Sequence, residues 1–146
     1  MKNILWLFSI LLLCVSSATA QTESVPADVV VKLRHQAQMT YINMQLPHNE
    51  EYTAAVLSNG SVLYGMVSDR GGKLRLPHGV LLLLHTHPYG AQPLPSEADR
   101  ATAEKMAAPN CVVTATKVWC AMPNGEVVRG ELAASQATSR QAFLGK

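Results

Sequence analysis

Four consecutive leucines, Leu81 to Leu84, run directly into His85-Thr86-His87-Pro88. From Val80 to Leu84 there is no polar side chain. An unbroken apolar run of this length, opening at Gly79, predicts a strand over about 79–85 with both faces covered, so helices are expected to pack on its sheet. A buried run that ends in two imidazoles needs a reason. In a strand, residues two apart point to the same side, with α-carbons about 6.5–7 Å apart. His85 and His87 can therefore converge on one ion while Thr86 points away.

The next segment of the chain supplies a third ligand. The loop from Pro88 to Pro95 holds three prolines, and Ser96-Glu97-Ala98-Asp99 opens a helix predicted over about 97–107. Ala98, Ala101, Thr102 and Met106 are its expected packing side, and Pro109-Asn110 ends it. The loop is long enough to return Asp99, in the first helical turn, to the strand end. His85, His87 and Asp99 then make a three-ligand set with a fourth place for water, the layout of a catalytic zinc site. Ser96 to Asp99 is also a plain capping box. The two readings are compatible, since a capping serine can hold a helix end beside a metal.

The remaining chain predicts an α/β domain, a mixed sheet flanked by helices. Ser24 as cap, Pro26 in the first turn and Asp28 near the positive end of the dipole point to a helix over about 26–41. Val29, Val30, Leu33, Ala37 and Tyr41 recur along it at helical spacing, and Leu46 to Asn49 breaks it. Strands are expected over about 52–57 and 61–67, joined by Asn59-Gly60, with a turn at 69–72. Three more are expected over about 111–115, 117–122 and 126–132, the last after Asn124-Gly125. Residues 133–146 have weak helical character.

Residues 1–20 resemble a secretory leader: Lys2, an apolar stretch from Ile4 to Val15, then Ala18-Thr19-Ala20. The stretch is shorter than the roughly 20 residues that span a bilayer. The expected product is a single domain over residues 21–146, exported, periplasmic or secreted, and not membrane-spanning. With Lys2 removed it carries 11 of the 12 Lys and Arg against 10 Asp and Glu, with no block of like charge. Nucleic acid and anionic membranes are thereby poor partners. Cys111 and Cys120 then remain, and in an exported chain an even count suggests a disulfide; two buried free thiols are the alternative. In a tight hairpin of the strands near 111–115 and 117–122 the two would face each other.

HTHP followed by PSEAD resembles the His-x-His-Pro and Ser-x-x-Asp signature of the JAMM (JAB/MPN) metalloproteases. Their upstream glutamate, just before an apolar strand, has a similar element here in NEEYTAAVLSNG. Glu51 takes that position, with Glu50 as the fallback. The resemblance covers roughly residues 26–132. It implies a JAB/MPN-like fold of cytidine-deaminase-like architecture, with one zinc ion held by His85, His87 and Asp99. It implies further that Glu51 is general base and that Ser96 donates to the oxyanion during hydrolysis of a peptide or isopeptide bond. Eight residues separate His87 from Ser96, one more than the family usually has. An exported chain would not meet the family's intracellular ubiquitin-like targets, so the expected substrate is another protein or peptide, the cell envelope being one source, with non-peptide amides as a further alternative. A metal-binding or partner-binding scaffold without catalysis is the alternative. His35, His48 and His78 lack matching partners and are read as surface or helix residues.

Overall fold

A computed structural model describes residues 22–44, 49–68, 76–88 and 90–133. The chain runs β1 (Glu23–Pro26), α1 (Ala27–Met44), β2 (Glu50–Leu57), β3 (Val62–Ser68), β4 (Val80–His85), α2 (Glu97–Met106), β5 (Asn110–Val113), β6 (Val118–Ala121) and β7 (Val127–Ala133). The strands form one mixed sheet in the order β1-β7-β6-β5-β4-β2-β3. β4 pairs parallel with β5 across the α2 connection, β1 pairs parallel with β7, and the other neighbours are antiparallel. The fold is α/β, as the strand and helix periodicities predict.

Alternation along β4 divides the core. Leu82 and Leu84 bury with Ala54, Cys111 and Val113 against Val29, Val30 and Leu33 of α1. Leu83 buries with Ala55 and Leu57, joined by Met106 of α2. The leucine run is thus covered on both faces except at Leu81, which is 56% exposed. α1 packs on β1, β2 and β5, and α2 on β5 and β6.

Both Asn-Gly pairs turn hairpins. Gly60 and Gly125 have positive φ of 77° and 87°. Gly60 N donates to Leu57 O and Gly125 N to Met122 O, at 2.8 and 2.9 Å. These are tight turns closed by a left-handed glycine, which has no Cβ to clash.

Two expectations are corrected. Residues 23–26 form β1 rather than a helix start, and α1 begins at Ala27 and runs on to Met44. Val25, wholly buried, gains more from lining the core beside β7 than Ser24 gains as a cap. Pro26 is tolerated because β1 is an edge strand. Gly130 lets it approach: a Cβ there would lie 2.9 Å from Val25 Cγ2 and 3.3 Å from Cys120 Sγ. Second, α2 packs through Ala103, with Thr102 and Met106 half-buried, whereas Ala98 and Ala101 face solvent. The helix is rotated so that Asp99 turns toward β4. Residues 1–20, all but the last residue of the helix-breaking stretch 46–49, the turn at 69–72 and the tail beyond residue 133 lie outside the described residues.

Cys111 and Cys120 face each other across β5 and β6, with sulfurs at the disulfide distance of 2.03 Å. Both are fully buried against the α1 side of the core. Among the described residues no helix is long and apolar enough to cross a membrane.

Candidate metal centre

The site forms where β4 ends and α2 begins. β2 lies beside β4 with Thr53 opposite His85 and Ala55 opposite Leu83. Thr86 N donates to Tyr52 O at 3.0 Å, which carries the pairing one step past the strand end. The Thr86 side chain points away from the histidines, where its Oγ1 accepts from Tyr52 N at 3.1 Å. By the same alternation Glu51 falls beside His87 and on its face, while Glu50 falls on the opposite face. The register therefore separates two neighbouring acids that the sequence leaves open.

Three side chains converge. His85 Nε2 is 3.2 Å from His87 Nε2 and 3.1 Å from Asp99 Oδ1, and His87 Nε2 is 3.4 Å from Asp99 Oδ2. Donor atoms on the corners of a tetrahedron around zinc are about 3.3 Å apart, given bonds of about 2.0–2.1 Å. Among the described residues His85, His87 and Asp99 are the group able to hold a metal ion.

The outer nitrogens fix the imidazoles. His87 Nδ1 lies 2.5 Å from the carbonyl of Gln92, which can only accept, so this nitrogen carries the proton. His85 Nδ1 lies 3.1 Å from Asn110 Oδ1. The amide orientation of Asn110 is set by its Nδ2, which donates to Asp99 O at 3.2 Å and to Asp99 Oδ1 at 3.3 Å. In their neutral forms both imidazoles thus direct an Nε2 lone pair into the same space as a carboxylate. Three acceptors facing one another are satisfied by a cation or by a shared proton. The donor set fits zinc, and each histidine has the outer partner that metal-bound imidazole ordinarily has.

The capping box and the third ligand coexist. Ser96 Oγ accepts from Asp99 N at 3.2 Å, and Ser96 N donates to Asp99 Oδ2 at 2.7 Å. The Ser96 hydroxyl also lies 2.7 Å from Oδ2 and donates to it. Ser96 and Asn110 therefore hold the carboxylate from its two sides.

These contacts set the charges. Burial pushes the Asp99 carboxyl up, but hydrogen bonds from His85, His87 and Ser96 outweigh it and hold the group far below the usual carboxylate range. In the metal-free protein the hydrogen bond to Asp99 raises the pKa of His87 above 6.5. Burial opposes that shift, and the Gln92 carbonyl and the charges of Asp99 and Glu51 add to it. The His85, His87 and Asp99 side chains are 7, 13 and 17% exposed, so solvent reaches the cluster past His87 and Asp99.

His35 and His78 are exposed and take no part; His48 lies outside the described residues. Asn110 and the Gln92 carbonyl are the partners that sequence reasoning passes over. An Asn heading the otherwise apolar stretch Asn110 to Val113 was the available signal for the first, since a buried amide demands partners. A backbone carbonyl leaves no signal in the residue type.

No protein-family model, curated protein or solved structure matches the chain. The geometry itself defines a mixed α/β protein with a His-His-Asp cluster suited to a metal ion.

Proposed function

We propose that this protein is a zinc-dependent hydrolase of peptide or isopeptide bonds, with a JAB/MPN-like fold, acting outside the cytoplasm. The observation that carries the reading is the convergence of two imidazole lone pairs and one carboxylate at 3.1–3.4 Å; the alternation of β2 puts Glu51 on the same face. His85, His87 and Asp99 would hold the ion. When bound, zinc would lower the pKa of a water toward roughly 7 and polarise the scissile carbonyl.

The chain's own groups supply the rest. Glu51 takes a proton from the attacking water and delivers it to the leaving nitrogen. The water oxygen bonds to the carbonyl carbon, the carbon–nitrogen bond breaks, and the products are a carboxylic acid and an amine. Asn110 and the Gln92 carbonyl keep the imidazoles in the tautomer that binds metal. Ser96 serves the oxyanion only if its hydroxyl turns from Asp99 Oδ2, to which it now donates. That commitment favours the second reading, a metal-binding scaffold without catalysis. The apolar β4 supports the cluster from behind. The Cys111–Cys120 pair suits an oxidising compartment.

The deciding experiment is elemental analysis of gently purified protein beside His87→Ala, followed by incubation with a peptide mixture read by mass spectrometry. About one zinc per chain, lost in the variant, together with amide cleavage, is the expected result. Zinc without cleavage leaves the scaffold reading, and no zinc at all removes both.

A further inference from the structure

A cleft of about 510 Å³ lies beside the cluster, between α1 and the C-terminal ends of β4 and β5. Its wall includes Arg34, Gln38 and Tyr41 from α1 and Thr86, His87 and Val113 from the sheet. The volume is in the range of small-ligand sites, and the ends of adjacent parallel strands are where α/β sheets commonly bind ligands. His87 is both a cleft wall and a member of the cluster, so the cleft borders the candidate metal centre at that residue. The lining contains no acidic side chain.

Arg34 is the fixed charge of this cleft. It is half-buried, and burial lowers its pKa from the ordinary value. Its Nε donates to Thr114 O at 2.6 Å and one terminal nitrogen reaches Lys117 O at 3.5 Å. These carbonyls at the β5–β6 turn fix the plane of the guanidinium and use two of its five N–H groups. No carboxylate pairs with it among the described residues. A held, partly desolvated guanidinium with spare donors is matched by a planar two-oxygen anion.

We propose that Arg34 anchors the free C-terminal carboxylate of a peptide, and that the bond presented to His85, His87 and Asp99 is an amide close to that terminus. This inference rests on the hydrolase reading for the bond cleaved, but not for the carboxylate bound. Cleavage next to such an anchor releases a single amino acid or a very short peptide, which makes the activity that of a carboxypeptidase. An anchored terminus also excludes internal segments of folded proteins.

The test is calorimetric binding of N-acetyl-alanyl-alanine and of its C-terminal amide to zinc-loaded and to metal-free Glu51→Gln protein, in which turnover does not interfere. The acid binds roughly 10- to 100-fold more tightly than the amide, the ratio expected of a charge-assisted hydrogen-bonded pair. Arg34→Gln brings the two within about twofold, and Arg34→Lys retains part of the preference because the charge survives without the fork. Arg129→Gln, in the neighbouring hollow that also borders Lys117, leaves the preference intact. Melting temperature confirms that each variant is folded. Equal binding of acid and amide, binding of neither, or an undiminished preference in Arg34→Gln overturns the proposal. An acid preference in Glu51→Gln protein, found while the parent protein takes up no zinc and cleaves no amide, leaves the anchor standing and removes the hydrolase reading; cleavage by the parent of amide-terminated peptides as fast as acids does the reverse.

Discussion

Asn110 joins His85 to Asp99: its Oδ1 accepts from His85 Nδ1 at 3.1 Å while its Nδ2 donates to Asp99 Oδ1 at 3.3 Å. One amide thus sets the tautomer of one ligand and the pose of another. Asn110 is 5% exposed, and Leu83 is its register partner on β4.

Asn110→Ala should therefore weaken zinc binding by roughly 10- to 100-fold, the usual cost of losing an outer partner of a metal-bound histidine. Competition against a chromophoric chelator measures it. Asn110→Asp should retain part of the affinity, since Oδ1 remains. An unchanged affinity in Asn110→Ala would show that the amide does not act on the metal.

The two neighbouring acids should separate cleanly. Glu51→Gln should keep zinc and lose turnover by roughly 100-fold or more, whereas Glu50→Gln, on the other face of β2, should stay within a few-fold of the parent. The measurement is the initial rate of peptide cleavage alongside metal content. Equal losses in the two variants would refute the assignment by register.

The metal-free protein should be most stable on the acid side of neutrality. His87 has a raised pKa, so its stabilisation is complete below the unfolded value of about 6.5 and fades as pH rises through the folded value. Asp99 has a depressed pKa, so its contribution is present above about 3.9 and fades as pH falls through the folded value. Zinc needs the unprotonated imidazoles, so its stabilisation should grow as pH rises through the neutral range. Thermal melts between about pH 4 and 8, with and without zinc, should coincide at the acid end and diverge toward pH 8. Parallel curves would contradict it.

Opening the Cys111–Cys120 bridge should cost about 2–3 kcal/mol, because a bridge with a sequence separation of 9 closes a short loop. Denaturant melts of the Cys111→Ala/Cys120→Ala double variant measure the loss, to which two small core cavities add. A loss well under about 1 kcal/mol would mean that the unfolded chain is already compact there.

Ala107 ends α2 in the left-handed region, with φ 50° and ψ 35°. Ala108 N donates to Ala103 O at 3.2 Å across it. A residue with a Cβ is disfavoured in this conformation, so Ala107→Gly should stabilise the fold by about 1 kcal/mol. The check is the denaturation midpoint, which should rise at constant slope.

Local rules made most of this legible. The period of two in a strand places His85 and His87 together, and a capping box places Asp99 at a helix start. Asn-Gly marks both hairpins, and a tight turn sets Cys111 against Cys120. What escaped depends on partners distant in sequence. Residues 23–26 carry good helix-start residues, and only β7, far along the chain, makes them a strand. Ala98 and Ala101 fit a packing side by spacing alone, but the rotation of α2 is set by where Asp99 and Ala103 meet the sheet. Arg34 of α1 finds its carbonyl partners, Thr114 and Lys117, only at the β5–β6 turn, some 80 residues further along the chain.

The parallel pairing of β1 with β7 sets Glu23 beside Gly130 and Val25 beside Leu132. The earliest described strand thus has no edge to join until the latest one has formed. During synthesis the segment holding Val25 must wait, uncommitted, for nearly the whole chain. Completion of the sheet is a late event, dominated by a contact between residues far apart in the chain, which slows folding.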